Sequence, residues 1–224
     1  MMRTSPVRLV ALIVSLVGAV TCHVRESGRV DTAALQRTAN GPALRITILG
    51  TPDDPRRESA REAVAYWNSE LLRLGRRLRL ALDTTIRGDS VGDDALRGAS
   101  GEAMRGGGPA TTRLLVTLRD IPADVVIALS HTDLISFSVP WRAGSRGVVG
   151  VRRSDVPPLS SPNTVRNVIA HELGHVLGLQ HNGDSTTLMC GRPAGCRPSA
   201  FASDSAHFFP LTTSDEQWLR ERWP

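Results

Sequence analysis

The chain has 224 residues, 41% of them hydrophobic, which suits one domain with a core of ordinary size. Its formal charge of +5 comes wholly from arginine, since the sequence contains no lysine. The arginines are scattered, with 56–57, 76–77 and 152–153 as the only adjacent pairs, and no basic stripe interleaved with aromatics appears. Nucleic-acid binding is left without support.

Residues 9–20 form an apolar run behind Arg3 and Arg8. The run is shorter than the roughly 20 residues of a membrane-spanning helix and reads as part of a signal peptide over residues 1–21. The small residues at 17–19 suit a signal peptidase. The tetrapeptide 19–22 also resembles a bacterial lipoprotein box, in which Cys22 would be lipidated and attach the protein to a membrane. Both routes imply export, to an extracellular, periplasmic or lipid-anchored location. Residues 22–42 are polar and without periodicity and read as a linker, leaving 43–224 as the folded domain.

Within that domain, 44–48 alternates apolar and polar residues as a half-buried strand does. Pro55 suits the first turn of a helix, and Ala60, Ala63, Val64, Trp67, Leu71 and Leu74 recur at helical spacing before Gly75. Leu78, Leu80 and Leu82 predict a second strand. Residues 86–112, rich in Gly, Asp and Ser, read as a surface insertion with one short helix over 93–105. Residues 114–118 are a strand or part of the same insertion; 123–129 and 147–151 are strands. A helix is expected from Pro162 or Asn163 to Gly178, with Val165, Val168, Ile169, Leu173, Val176 and Leu177 on its buried face. Thr213-Ser214-Asp215-Glu216 has the capping-box pattern, and Trp218, Leu219 and Trp223 anchor the last helix. The order specifies an α+β fold: a twisted mixed sheet packed on the first helix and the 162–178 helix, with a C-terminal helix.

The sequence HELGHVLGLQH at 171–181 carries the chemistry. His171 and His175, four residues apart, lie about 40° apart around a helix axis and roughly 6 Å along it, so both rings can reach one zinc ion. Gly178 accepts the positive φ that ends a helix sharply, and the turn returns His181 as third ligand. Glu172 is adjacent without being a ligand. Three neutral imidazoles leave one position for water, as in a catalytic zinc site.

This pattern with Met189 eight residues past His181 resembles the metzincin metallopeptidases, and the interval resembles their matrixin branch. The resemblance implies a zinc-dependent endopeptidase acting on extended peptide or protein substrates. One Zn2+ would be held by His171, His175 and His181, with Glu172 as general base on a metal-activated water and Met189 as the apolar floor of the site. It extends over about residues 43–223, although only 171–189 is highly specific. It also assigns 147–151 to the sheet edge above the cleft, where a peptide would pair.

Of the three cysteines, Cys190 and Cys196 form an even pair once Cys22 is removed or lipidated. A disulfide between them would brace the segment that walls the substrate pocket in the resembled family; two free thiols are the alternative. Several family features are missing. Residues 23–42 contain no inhibitory cysteine, the position two past the Met is Gly191 rather than tyrosine, and the only tyrosine is Tyr66. His131 and Asp133 resemble the start of a structural zinc site whose other histidines have no match, so they read as loop residues. His23 and His207 read as surface positions. Neither a structural zinc nor a calcium loop is supported. Two rivals remain: a zinc-containing binding or adhesion module, closed by Cys190 as fourth ligand, and a hydrolase of cell-wall peptide amides.

Overall fold

The computed structural model describes residues 42–83, 91–103, 105–155, 157, 159–191 and 205–224. Among the described residues ten elements follow in order: β1 (Ala43–Leu49), α1 (Arg56–Arg73), β2 (Arg79–Leu82), α2 (Asp93–Ala103), α3 (Pro109–Thr117), β3 (Val125–Leu129), β4 (Phe137–Val139), β5 (Gly147–Val151), α4 (Pro162–Val176) and α5 (Thr213–Arg222). The sheet order is β2-β1-β3-β5-β4, parallel throughout except for β4, which runs antiparallel to β5. This is the mixed sheet and α+β class expected from the sequence. The candidate signal peptide and linker, Cys22 and His23 lie outside the described residues.

Strand alternation divides the core into two. Leu44, Ile46, Ile48, Val125, Ile127, Val149 and Val151 face α1, α4 and α5. Leu49, Val126, Ala128 and Val148 point to the other side, where α2 and α3 cover them through Leu96, Ala99 and Leu114. Both central strands, β3 and β5, are buried at every position, as parallel strands covered on two faces must be. The described part of the insertion, α2 and the start of α3, is therefore a second helical layer rather than a surface excursion.

Three expectations need correction. Residues 114–118, open to a strand reading, lie largely in α3: Gly108-Pro109 starts a helix, with Pro at its first turn. The sheet edge is β4, not 147–151. β5 is interior because β4 pairs along its far side, Phe137 against Gly150 and Ser138 against Val149. Gly150 makes that pairing fit, since a Cβ there would lie 2.2 Å from the Phe137 ring. The capping box begins one residue early: Thr212 accepts from the Asp215 amide at 3.1 Å, and Asp215 accepts from the Thr212 amide at 3.0 Å.

The long helices are tied to each other and to the sheet by buried polar contacts. The indole of Trp67 on α1 donates to the Ala170 carbonyl on α4 at 2.8 Å, and that of Trp223 donates to Leu177 at 3.0 Å. At the start of α1 the buried Arg56 pairs with buried Asp54 and donates to the carbonyls of Ser130 and Arg152 at 2.8 and 2.7 Å. It thereby ties the ends of β3 and β5 to the helix. Burial pushes the Asp54 carboxyl up, but hydrogen bonds and charge from Arg56 outweigh it and hold the group below its usual value. The unfolded carboxyl titrates near about 3.9. The pair therefore contributes its full stability above that pH and loses it as pH falls through the lower folded value. Arg56→Ala is expected to cost about 3–5 kcal/mol at pH 7, because it leaves a buried charge and carbonyls unpaired. Urea unfolding at pH 7 and near pH 2 should show the smaller difference in acid.

Among the described residues, no helix is long and apolar enough to cross a membrane.

Candidate metal centre

Helix α4 presents His171 and His175 one turn apart and stops at a Schellman turn. The Gly178 amide donates to His175 O at 3.0 Å, the Leu179 amide donates to Gly174 O at 3.0 Å, and Gly178 has φ +99°. This is the 5→2 and 6→1 bonding that terminates helices at a left-handed residue. The reversal brings His181 back to α4. The three Nε2 atoms converge, with 3.1 Å between His171 and His175, 3.2 Å between His171 and His181, and 2.9 Å between His175 and His181. Among the described residues they form the only cluster of three or more His, Cys, Asp or Glu side chains fit to hold a metal.

The donor set suits zinc. Nδ1 of His171 donates to Leu188 O at 2.7 Å and Nδ1 of His175 donates to Leu179 O at 2.8 Å. With those protons on Nδ1, each Nε2 carries a bare lone pair directed at the other rings. Lone pairs this close repel one another unless a cation lies between them. Tetrahedral zinc with bonds of about 2.0–2.1 Å separates its nitrogens by roughly 3.3–3.4 Å, close to the spacing found. Burial drives His175 down to about 4, against the Leu179 hydrogen bond, so it is neutral and able to ligate at neutral pH. His171 and His175 are half-buried and His181 is exposed, which leaves the cluster open on one side.

Glu172, next to the first ligand, is 8% exposed. Burial pushes its carboxyl up to about 7, with the Ser138 hydroxyl acting in the opposite direction. A general base works best with a pKa near the working pH; a cation beside this carboxylate draws the value down.

The turn that carries Leu188 and Met189 packs against α4 beside the cluster. Met189 is fully buried, and its Sδ lies 2.5 Å from where a Gly174 Cβ would stand, so the thioether packs against α4 where only glycine leaves room. Leu188 supplies the carbonyl that orients His171. A short strap joins this turn to the third ligand: the Asn182 amide donates to Met189 O at 2.8 Å, and the Gly191 amide donates to Asn182 O at 2.9 Å.

Two residues of this support were not singled out as functional from sequence. Gly191 was noted only as a departure, yet a Cβ there would lie 2.3 Å from both Cβ and Cγ of His181. Those atoms sit at the root of the ring and cannot swing aside. Gly191→Ala is expected to displace His181 and weaken zinc binding about 10–100-fold with the fold intact; competition with a chromogenic chelator, alongside circular dichroism, measures it. Asn167, buried on α4, donates to His207 O at 2.8 Å and accepts from the Phe209 amide at 3.0 Å, fixing residues 207–209 on the helix. A buried Asn on an apolar face was the available signal.

Cys190 is disulfide-bonded, so it offers no thiolate to close the site as a fourth ligand. Cys196, its expected partner, lies outside the described residues. Asp133 pairs with Arg152 at 2.6 Å and His131 is exposed, in keeping with loop roles. His207 is exposed as well.

The Matrixin family model matches residues 119–202, a span that includes β3 to β5, α4 and the turn at Met189. No curated protein matches the chain. Among solved structures, archaemetzincin from Methanopyrus kandleri is 19% identical, with 80% of this chain and 95% of that chain covered and a TM-score of 0.47. Archaemetzincin from Archaeoglobus fulgidus, complexed with malonate, is 16% identical, covering 78% and 99%, with a TM-score of 0.43. A zinc-dependent peptidase from Methanocorpusculum labreanum is 12% identical, covering 78% and 99%, with a TM-score of 0.42. Over residues 119–202, which hold the three-histidine cluster, the chain is similar to the matrixin zinc peptidases.

Proposed function

We propose that the protein is a zinc-dependent endopeptidase of matrixin-like type that cuts within extended peptide or protein chains. The observation that carries this reading is the convergence of the three Nε2 atoms, with the Glu172 carboxylate one residue from the first of them. His171, His175 and His181 hold the metal. When bound there, zinc supplies a Lewis acid that polarises the scissile carbonyl and acidifies water. Strand β4, at the sheet's edge among the described residues, pairs with the peptide backbone, as strand edges do in peptide recognition, and lays the scissile bond across the cluster. Glu172 accepts the proton of the attacking water on its carboxylate and delivers it to the leaving amine nitrogen. Met189 and Leu188 keep the histidines in register. Mass spectrometry of the products from a denatured protein, a peptide library and cell-wall fragments tests the endopeptidase assignment. Cuts at internal peptide bonds support it; cuts confined to cell-wall amides contradict it.

The reading includes export through residues 1–21, with the Cys190–Cys196 disulfide formed in an oxidising compartment. The mass of the mature N-terminus separates simple cleavage from lipidation at Cys22.

A further inference from the structure

The first turns of α4 bury two asparagines, Asn163 and Asn167. Both grip the backbone of the segment that leads into α5. Asn163 Oδ1 accepts from the His207 amide at 3.2 Å. The Asn167 carboxamide donates to His207 O at 2.8 Å and accepts from the Phe209 amide at 3.0 Å. Such contacts are those a neighbouring strand would make, supplied here by side chains. Asn167 also donates to Asn163 O at 2.9 Å, so three hydrogen bonds offset its burial. The gripped segment continues to the cluster. Pro210 O accepts from the Leu188 amide at 2.8 Å, and Leu188 O accepts from Nδ1 of His171 at 2.7 Å. Asn167 and His171 stand about one turn apart on α4, so the helix and the path through Phe209, Pro210 and Leu188 close a ring.

We propose that Asn167 is a positioning residue for the metal centre, which sets the Leu188 carbonyl and through it the ring of His171. The inference rests on His171 being a zinc ligand and does not require that the chain cleaves peptides. The partner of a ligating histidine fixes its tautomer and the direction of its lone pair. Here that partner is a carbonyl in a turn, and a turn is only as firm as the contacts on its far side. The bond from the Leu188 amide to Pro210 O is such a contact, and Asn167 holds the residue just before Pro210. His175 is oriented separately, by Leu179 O beyond the Gly178 turn, along a path that does not include Asn167.

The test uses the full zinc-loaded chain with 15N-labelled histidine. In Asn167→Leu, which keeps the size of the side chain and none of its hydrogen bonds, the Nδ1 proton of His171 should move upfield as the bond to Leu188 O lengthens. That of His175 should stay. Zinc affinity, measured against a chromogenic chelator, should fall about tenfold, the lower end of what loss of an outer partner costs. A merely structural role would loosen both rings or neither. Tyr66→Phe is a milder variant. It keeps the ring stacked on Phe208 with centroids 4.5 Å apart and loses only the hydroxyl's bond to Phe209 O at 3.2 Å. It should move the same His171 proton by less, and it decides alone if Asn167→Leu does not fold. An unmoved His171 proton, or equal shifts at His171 and His175, overturns the inference and leaves the zinc site standing. Should the wild type bind no zinc, the metal-centre reading falls, and the two ring protons of the metal-free chain then decide whether Asn167 sets His171.

Discussion

Glu172→Gln is expected to lower kcat by roughly three orders of magnitude while zinc stays bound at one ion per chain. The substitution keeps shape, burial and hydrogen-bonding capacity but removes the ability to accept a proton at neutral pH. Glu172 is not one of the three converging ligands, so metal affinity has little reason to change. The carboxylate is buried beside an open cluster, and a neutral amide is easier to bury than a charge, so the variant should be at least as stable as the wild type. Stopped-time peptide assays with zinc analysis on the same sample provide the check. Near-normal turnover would remove Glu172 from the mechanism.

His175→Ala is the second large effect. His175 contributes one Nε2 to the cluster, and its Nδ1 donates to Leu179 O, the carbonyl just past the Gly178 turn. Its loss removes a ligand and also loosens the reversal that brings His181 back. Zinc affinity should fall by well over the roughly 10–100-fold that loss of an outer hydrogen-bond partner costs, and turnover should fall with it. Titration against a chelator of known affinity measures the first quantity, and the peptide assay the second. Excess zinc should restore little activity, because two imidazoles remain where the site needs three.

Much of this site can be read from local spacing. The i, i+4 histidines, the glycine that ends the helix and the third histidine just beyond it lie within eleven consecutive residues. Their geometry follows from helix pitch and a single left-handed turn, so the structure has little freedom to place them elsewhere. The apolar periodicity of α1 and the alternation in β1 were legible for the same reason. What escaped depends on contacts between distant segments. β4 is three residues long, next to Ser136 and Pro140, and only its pairing with β5 makes it a strand and an edge. Residues 114–118 are a continuous apolar run that suits strand or helix equally, and packing of α3 against α2 decides for helix. Gly191 became significant only when the His181 ring was found against it. The second helical layer escapes a sequence reading because α2 is short and set among Gly, Asp and Ser residues, so that it reads as polar insertion until it covers the sheet.

The central claim is that three converging imidazoles hold one zinc ion that peptide cleavage requires. The measurement that tests it most directly follows metal content and peptide hydrolysis on one preparation, first as purified, then after chelation and dialysis, then after one equivalent of zinc. One zinc per chain, cleavage lost with the metal and cleavage regained at one equivalent are the predicted results. Cleavage that survives complete removal of the metal would contradict the account, as would a fully zinc-loaded chain that cuts no peptide bond.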